Sequence, residues 1–158
     1  MRLIYVSLML GFLLGFLFTS QLINSTTNLE IPYTNNSRDL MSPSDTIKEH
    51  QIKVYEDKVI IDINAEWAKI ANTKSMDPVL DKGSFALQII PQNENEIHLG
   101  DIVTYTNSEG MRIIHRVIGI EKDDKGTYFI LKGDNNKNPD PYKVRFDMID
   151  RKLVGILY

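Results

Sequence analysis

Apolar residues fall along this chain in two regimes. From Leu3 to Ile23 they run almost without interruption: the stretch is 21 residues long, carries no charge, and has Ser7, Thr19, Ser20 and Gln21 as its polar members. As a helix rising ~1.5 Å per residue it reaches ~31 Å, which matches the hydrocarbon core of a bilayer. Beyond residue 40 the apolar positions come in short, alternating runs. Ile52/Val54 and Val59/Ile61/Ile63 alternate on either side of Glu56-Asp57, predicting a hairpin of Gln51 to Tyr55 and Lys58 to Ile63. Further strands are expected over Phe85 to Ile90, Ile102 to Tyr105, Met111 to Ile120, Thr127 to Leu131 and Lys152 to Tyr158, all rich in Val, Ile, Tyr and Phe. Polar turns separate them, such as Asn107-Ser108-Glu109-Gly110 and Asp123-Asp124-Lys125-Gly126. Trp67 to Ala71 is a short amphipathic stretch, and Ser42-Pro43-Ser44-Asp45 before Lys48-Glu49 predicts a helix start.

The expected organisation is therefore an anchor (1–23), a linker (24–40) and a mostly β domain (41–158) with enough chain for one core. The linker is rich in Asn, Ser and Thr, and seventeen flexible residues span roughly 23 Å. A cleaved secretory signal is the rival to a retained single-pass anchor. Cutting after Ser20 or Thr19 puts Phe18 or Leu17 at the position that needs a small residue, so the anchor is favoured. Arg2 precedes the span and the next basic residue is Arg38, which favours a cytoplasmic N-terminus and an extracytoplasmic body at the cell membrane. Asn24-Ser25-Thr26 and Asn35-Asn36-Ser37 are glycosylation sequons, permitted by that orientation without establishing it. Gly11 and Gly15 form a GxxxG that can seat a partner helix; two tolerated glycines in a Leu/Phe-rich helix is the plainer reading.

Composition narrows the chemistry. The chain has no cysteine, which excludes a disulfide framework, a Cys-ligated zinc site and a thiol nucleophile. A net charge of −3 makes it a poor generic binder of nucleic acid. His50, His98 and His115 lack metal-ligand spacing such as HExxH, so no metal and no cofactor are expected. His50 sits in the charged Lys48-Glu49-His50 stretch and reads as solvated; His98 precedes a turn.

Three features stand out from a plain β-domain. Ser75-Met76-Asp77-Pro78 follows the amphipathic stretch, where a serine is ordinarily a turn residue. His115 shares a strand face with Ile113 and Val117, the place of a core histidine or of a partly desolvated general base. Lys132-Gly133-Asp134-Asn135-Asn136, with Asp140 beyond, is either a tight loop or the source of a carboxylate that orients a histidine.

Taken in order, Ser75-Met76-x-Pro78, Gly100-Asp101-Ile102-Val103, His115-Arg116-Val117 and Lys132-Gly133-Asp134-Asn135-Asn136 with Asp140 resemble the signal peptidase I family, in its archaeal and endoplasmic-reticulum type. The resemblance covers residues 73–158. The bacterial branch carries a lysine where this chain has His115, so the resemblance is to the Ser-His branch. It implies a signal-peptidase-like β-domain, a membrane-bound serine endopeptidase, and signal-peptide-bearing preproteins as partners, cut after a small-x-small sequence. Carried over, Ser75 is the acyl-forming nucleophile and His115 the general base. Asp140 orients the imidazole, with Asp134 as second candidate. The Ser75 N–H holds the oxyanion, helped by the Thr73 hydroxyl; Lys132 ranks well below His115 as a base, and Asp101 is structural.

The departure is distance. Fifty-one residues separate Ile23 from Ser75, where the family usually has few. The 51–63 hairpin is expected either to add strands to the domain or to form a substrate or partner surface. Two other functional readings stand: a specialised or self-processing protease, and a non-catalytic, membrane-tethered β-domain that binds exported chains.

Overall fold

The structure is a computed structural model and describes residues 40–158. The anchor, the linker up to residue 39 and the Gly11/Gly15 pair lie outside the described residues. Among the described residues no helix is long and apolar enough to cross a membrane.

The described chain is mostly β. Strands β1 (Ile52–Val54) and β2 (Val59–Ile61) pair as a two-stranded hairpin. Strands β3 (Glu66–Lys69), β4 (Phe85–Ile89), β5 (Ile102–Thr106), β6 (Arg112–Asp123), β7 (Gly126–Lys132) and β8 (Ile149–Leu157) form one six-stranded sheet. Its order is β3-β4-β8-β5-β6-β7, with every neighbouring pair antiparallel. The last strand thus returns to the middle, between β4 and β5. Short 3₁₀ turns lie at Glu49–Gln51, Glu94–Glu96 and Phe146–Met148.

Central position explains why Ile102, Val103, Thr104 and Tyr105 are all buried: β5 has a core cluster on each side. Side chains alternate across a strand. Val103 and Tyr105 therefore join Ile97, Val117, Phe129, Leu131, Val144 and Ile149 on one face. Ile102 packs on the other with Met76, Leu80, Ala86 and Leu153. Met76 and Leu80 follow Ser75 in and just after its turn, so burial of two apolar side chains fixes the loop that carries the serine.

Two expectations change. The hairpin is correctly placed but does not extend the main sheet; β1 and β2 pair only with each other. Its register puts Ile52, Val54, Val59 and Ile61 on one face, and all four are exposed. Ser42-Pro43-Ser44-Asp45 does not start a helix. The Ser44 N–H and hydroxyl both bond Asp101 Oδ1, at 2.7 and 2.8 Å, so the groups that would cap a helix hold an extended strap on the sheet. The amphipathic Trp67 to Ala71 stretch overlaps edge strand β3, where Trp67 stacks on Phe85 with ring centroids 4.9 Å apart.

Asp101 anchors that strap from a fully buried position. Its Oδ2 accepts from the His98 N–H at 2.8 Å and from Lys152 Nζ at 2.9 Å. Lys152 also donates to Ser44 Oγ and the Glu96 carbonyl, both at 2.8 Å. Burial pushes the Asp101 carboxyl up, but the bonds from Lys152, Ser44 and His98 outweigh it and hold the group below its usual range. Gly100 lets the strap come close. Its φ is +90°, and an added Cβ would lie 2.3 Å from the Ser42 carbonyl oxygen.

Candidate active site

His115 sits in the buried middle of β6, opposite Val103 of β5. Residues paired across an antiparallel ladder share a face, so the ring lies on the side of Val103 and Tyr105, at the margin of that core cluster. Its Nδ1 is 2.8 and 2.7 Å from Asp140 Oδ1 and Oδ2. An ionised carboxylate only accepts, so Nδ1 carries a proton, and in the neutral imidazole Nε2 is the nitrogen with the lone pair. Asp140 is placed by its own backbone, whose N–H donates to the Leu131 carbonyl at 2.8 Å. A third group joins them: the Tyr105 hydroxyl donates to Asp140 Oδ2 at 2.8 Å. Burial and the adjoining carboxylate both push the Tyr105 phenol well above its usual value, so it stays protonated and remains a donor.

The two candidate aspartates have different partners. Asp134 accepts two hydrogen bonds from Arg116, from Nε at 2.8 Å and Nη2 at 2.7 Å. Arg116 Nη1 donates to the carbonyls of Gly100 at 2.9 Å and Met41 at 3.0 Å. Alternation separates the roles. Arg116 follows His115 on β6 and points to the opposite face, where it ties the Lys132–Asn136 loop to the strap.

Ser75 opens a turn directly after Lys74, whose φ of +61° is rare for a residue with a side chain. The turn is stitched to the end of β7. The Asn135 N–H donates to the Ser75 carbonyl at 2.9 Å, Asn135 Nδ2 to the Lys74 carbonyl at 3.0 Å, and the Asp134 N–H to Met76 Sδ at 3.4 Å. Gly133 makes this approach possible: an added Cβ would lie 2.5 Å from the Ser75 carbonyl oxygen. The β6–β7 ladder ends with Arg116 opposite Lys132. Gly133 follows directly, so the Ser75 turn packs where β7 ends, next to the strand that carries His115.

The Ser75 hydroxyl lies 3.1 Å from Thr73 Oγ1. Among the described residues, no hydrogen bond joins Ser75 directly to His115, and no protein acceptor takes the Ser75 N–H. Lys132 is half-buried at the end of β7, and Asp101 belongs to the strap anchor. His50 is exposed; His98 Nδ1 lies 3.6 Å from Asp101 Oδ2. A cavity of about 200 Å³ opens between β3 and β6, lined by Ala68, Ile70, Ala71, Ile113 and Ile114. Gln88 and Thr104, joined at 2.6 Å, also line it.

Sequence reasoning missed Tyr105 and the partner of Asp134. A tyrosine two residues from Val103 on a central strand must find a partner for its buried hydroxyl. That signal was present in the sequence, although the identity of the partner was not.

No family model matches this chain. It is similar to Signal peptidase I W of Bacillus subtilis (strain 168), with 28% identity over 81 residues, or 51% of this chain and 43% of that protein. The match thus spans less than half the length of that relative. At this identity and coverage it supports a relationship to signal peptidase I and, at a coarse level, a protease.

Proposed function

We propose that this chain is a membrane-bound serine endopeptidase that removes signal peptides from exported preproteins. The observation that carries the reading is the buried His115–Asp140 pair, with 2.7–2.8 Å contacts, beside a serine turn fastened to the same loop. The similarity to a signal peptidase I supports the substrate class. The uncharged Leu3 to Ile23 stretch supports a membrane-bound chain whose body faces the extracytoplasmic side.

Ser75 Oγ attacks the scissile carbonyl carbon while His115 Nε2 takes its proton. The Ser75 N–H and the Thr73 hydroxyl receive the oxyanion. Collapse breaks the C–N bond, and the amine leaves with the proton from His115. Water, deprotonated by the same nitrogen, then attacks the acyl ester and releases Ser75. Asp140 holds Nδ1–H throughout and stabilises the imidazolium. Asp134 serves structure through Arg116. Catalytic hydrogen bonds are often open in the substrate-free state and close in the complex, so the Ser75–Thr73 contact is compatible with this scheme.

A binding module has no use for a histidine tautomer fixed by a buried carboxylate. Cleavage of a preprotein by the full chain tests the proposal: Ser75→Ala abolishes it and leaves the fold unchanged. Retained cleavage in that variant contradicts it.

A further inference from the structure

We infer that Tyr105 is a positioning residue of this site, holding the Asp140 carboxylate aligned with the His115 imidazole, an inference that rests on the peptidase reading for its kinetic consequences. Four observations combine. Tyr105 is fully buried on the central strand β5. Its partner on β6 is Ile113, two residues before His115, so Tyr105 and His115 are diagonal neighbours on one face. Its hydroxyl and His115 Nδ1 both donate to one carboxylate, at 2.8 and 2.7 Å from Asp140 Oδ2. Its phenol is held protonated by the surrounding core and by that carboxylate.

The arrangement acts on Asp140 directly. A donor on Oδ2 stops the carboxyl group rotating, which keeps it aligned with the imidazole. The groups facing this carboxylate are Tyr105 from β5 and His115 from β6. Tyr142, from the loop after β7, lies near Tyr105 and bonds Glu109 through its hydroxyl at 3.4 Å. Arg116 is turned to the other face, on Asp134.

The test is Tyr105→Phe in the full chain, which removes one oxygen and keeps the ring in its core site. The His115 Nδ1–H resonance is followed by NMR, and kcat and KM are measured for a preprotein. In the variant the Nδ1–H resonance shifts as its bond to Asp140 changes, and kcat falls by roughly tenfold, with KM unchanged within about twofold. Phe129→Leu is the control, since Phe129 is fully buried in the same cluster. It lowers stability and leaves both the resonance and kcat unmoved. An unmoved Nδ1–H resonance in Tyr105→Phe overturns the inference, as does an equal shift in Phe129→Leu. Absence of cleavage by the wild-type chain contradicts the peptidase reading instead, and the resonance then decides the role of Tyr105 by itself.

Discussion

Replacing each candidate aspartate by asparagine separates a structural carboxylate from a catalytic one. The Arg116 and Asp134 side chains are 6% and 2% exposed and meet through two short bonds. Asp134→Asn strips a buried guanidinium of its countercharge, a loss worth about 3–5 kcal/mol. Arg116 keeps the Gly100 and Met41 carbonyls as acceptors, which argues for the lower end, about 3 kcal/mol. For roughly 120 cooperatively unfolding residues, 1 kcal/mol moves Tm by about 4 °C, so a drop of about 12 °C is expected. Asp140→Asn has a different signature. The amide oxygen still accepts from Tyr105, so the loss is that of one hydrogen bond, and about 1 kcal/mol or 4 °C is expected. Its cost falls on chemistry, because the amide no longer enforces the reactive tautomer; a loss of roughly 10⁴-fold in kcat follows. The assays are thermal unfolding by circular dichroism and preprotein cleavage at 20 °C, where both variants remain folded. The reasoning is refuted if Asp134→Asn melts within about 3 °C of the wild type, or if Asp140→Asn cleaves at a comparable rate.

Two further outcomes follow from the same contacts. Gly133→Ala drives a methyl group against the Ser75 carbonyl, which an added Cβ would meet at 2.5 Å. It is expected to lower kcat at least tenfold, and an unchanged kcat contradicts the role given to that approach. Asp101 has its pKa lowered in the folded protein, so its contribution to stability is fully present above about pH 4 and is lost as pH falls through the folded value. Acid unfolding followed by circular dichroism should therefore be shallower below pH 4 in Asp101→Asn than in the wild type; parallel curves would show that the carboxylate does not carry the effect.

The strands were legible because each is a short alternating run bounded by turn residues, and β4 to β8 fall close to their expected positions. What was not legible depended on partners far along the chain. Ser42-Pro43-Ser44-Asp45 has the residue types of a helix start, but Ser44 bonds Asp101, 57 residues away. The hairpin was visible as an alternation, whereas its separation from the main sheet was not, since alternation does not specify a neighbour. Asp134 and Asp140 are equivalent as turn residues. Which one meets the histidine follows from alternation along β6, which turns His115 and Arg116 to opposite faces, and from the Asp140 N–H docking on Leu131. Ser75 and His115 could be singled out by type and order, but the device that fastens the Ser75 turn to the end of β7, Gly133 against the Ser75 carbonyl, is a backbone contact with no side-chain signature.

The most direct test of the central claim is to incubate the full-length chain, in membranes or detergent, with a signal-peptide-bearing preprotein and to determine the new N-terminus by mass spectrometry. The account predicts a single cut after a small-x-small sequence with the wild type and none with Ser75→Ala. An uncut preprotein with the wild type, or the same product from Ser75→Ala, would contradict it.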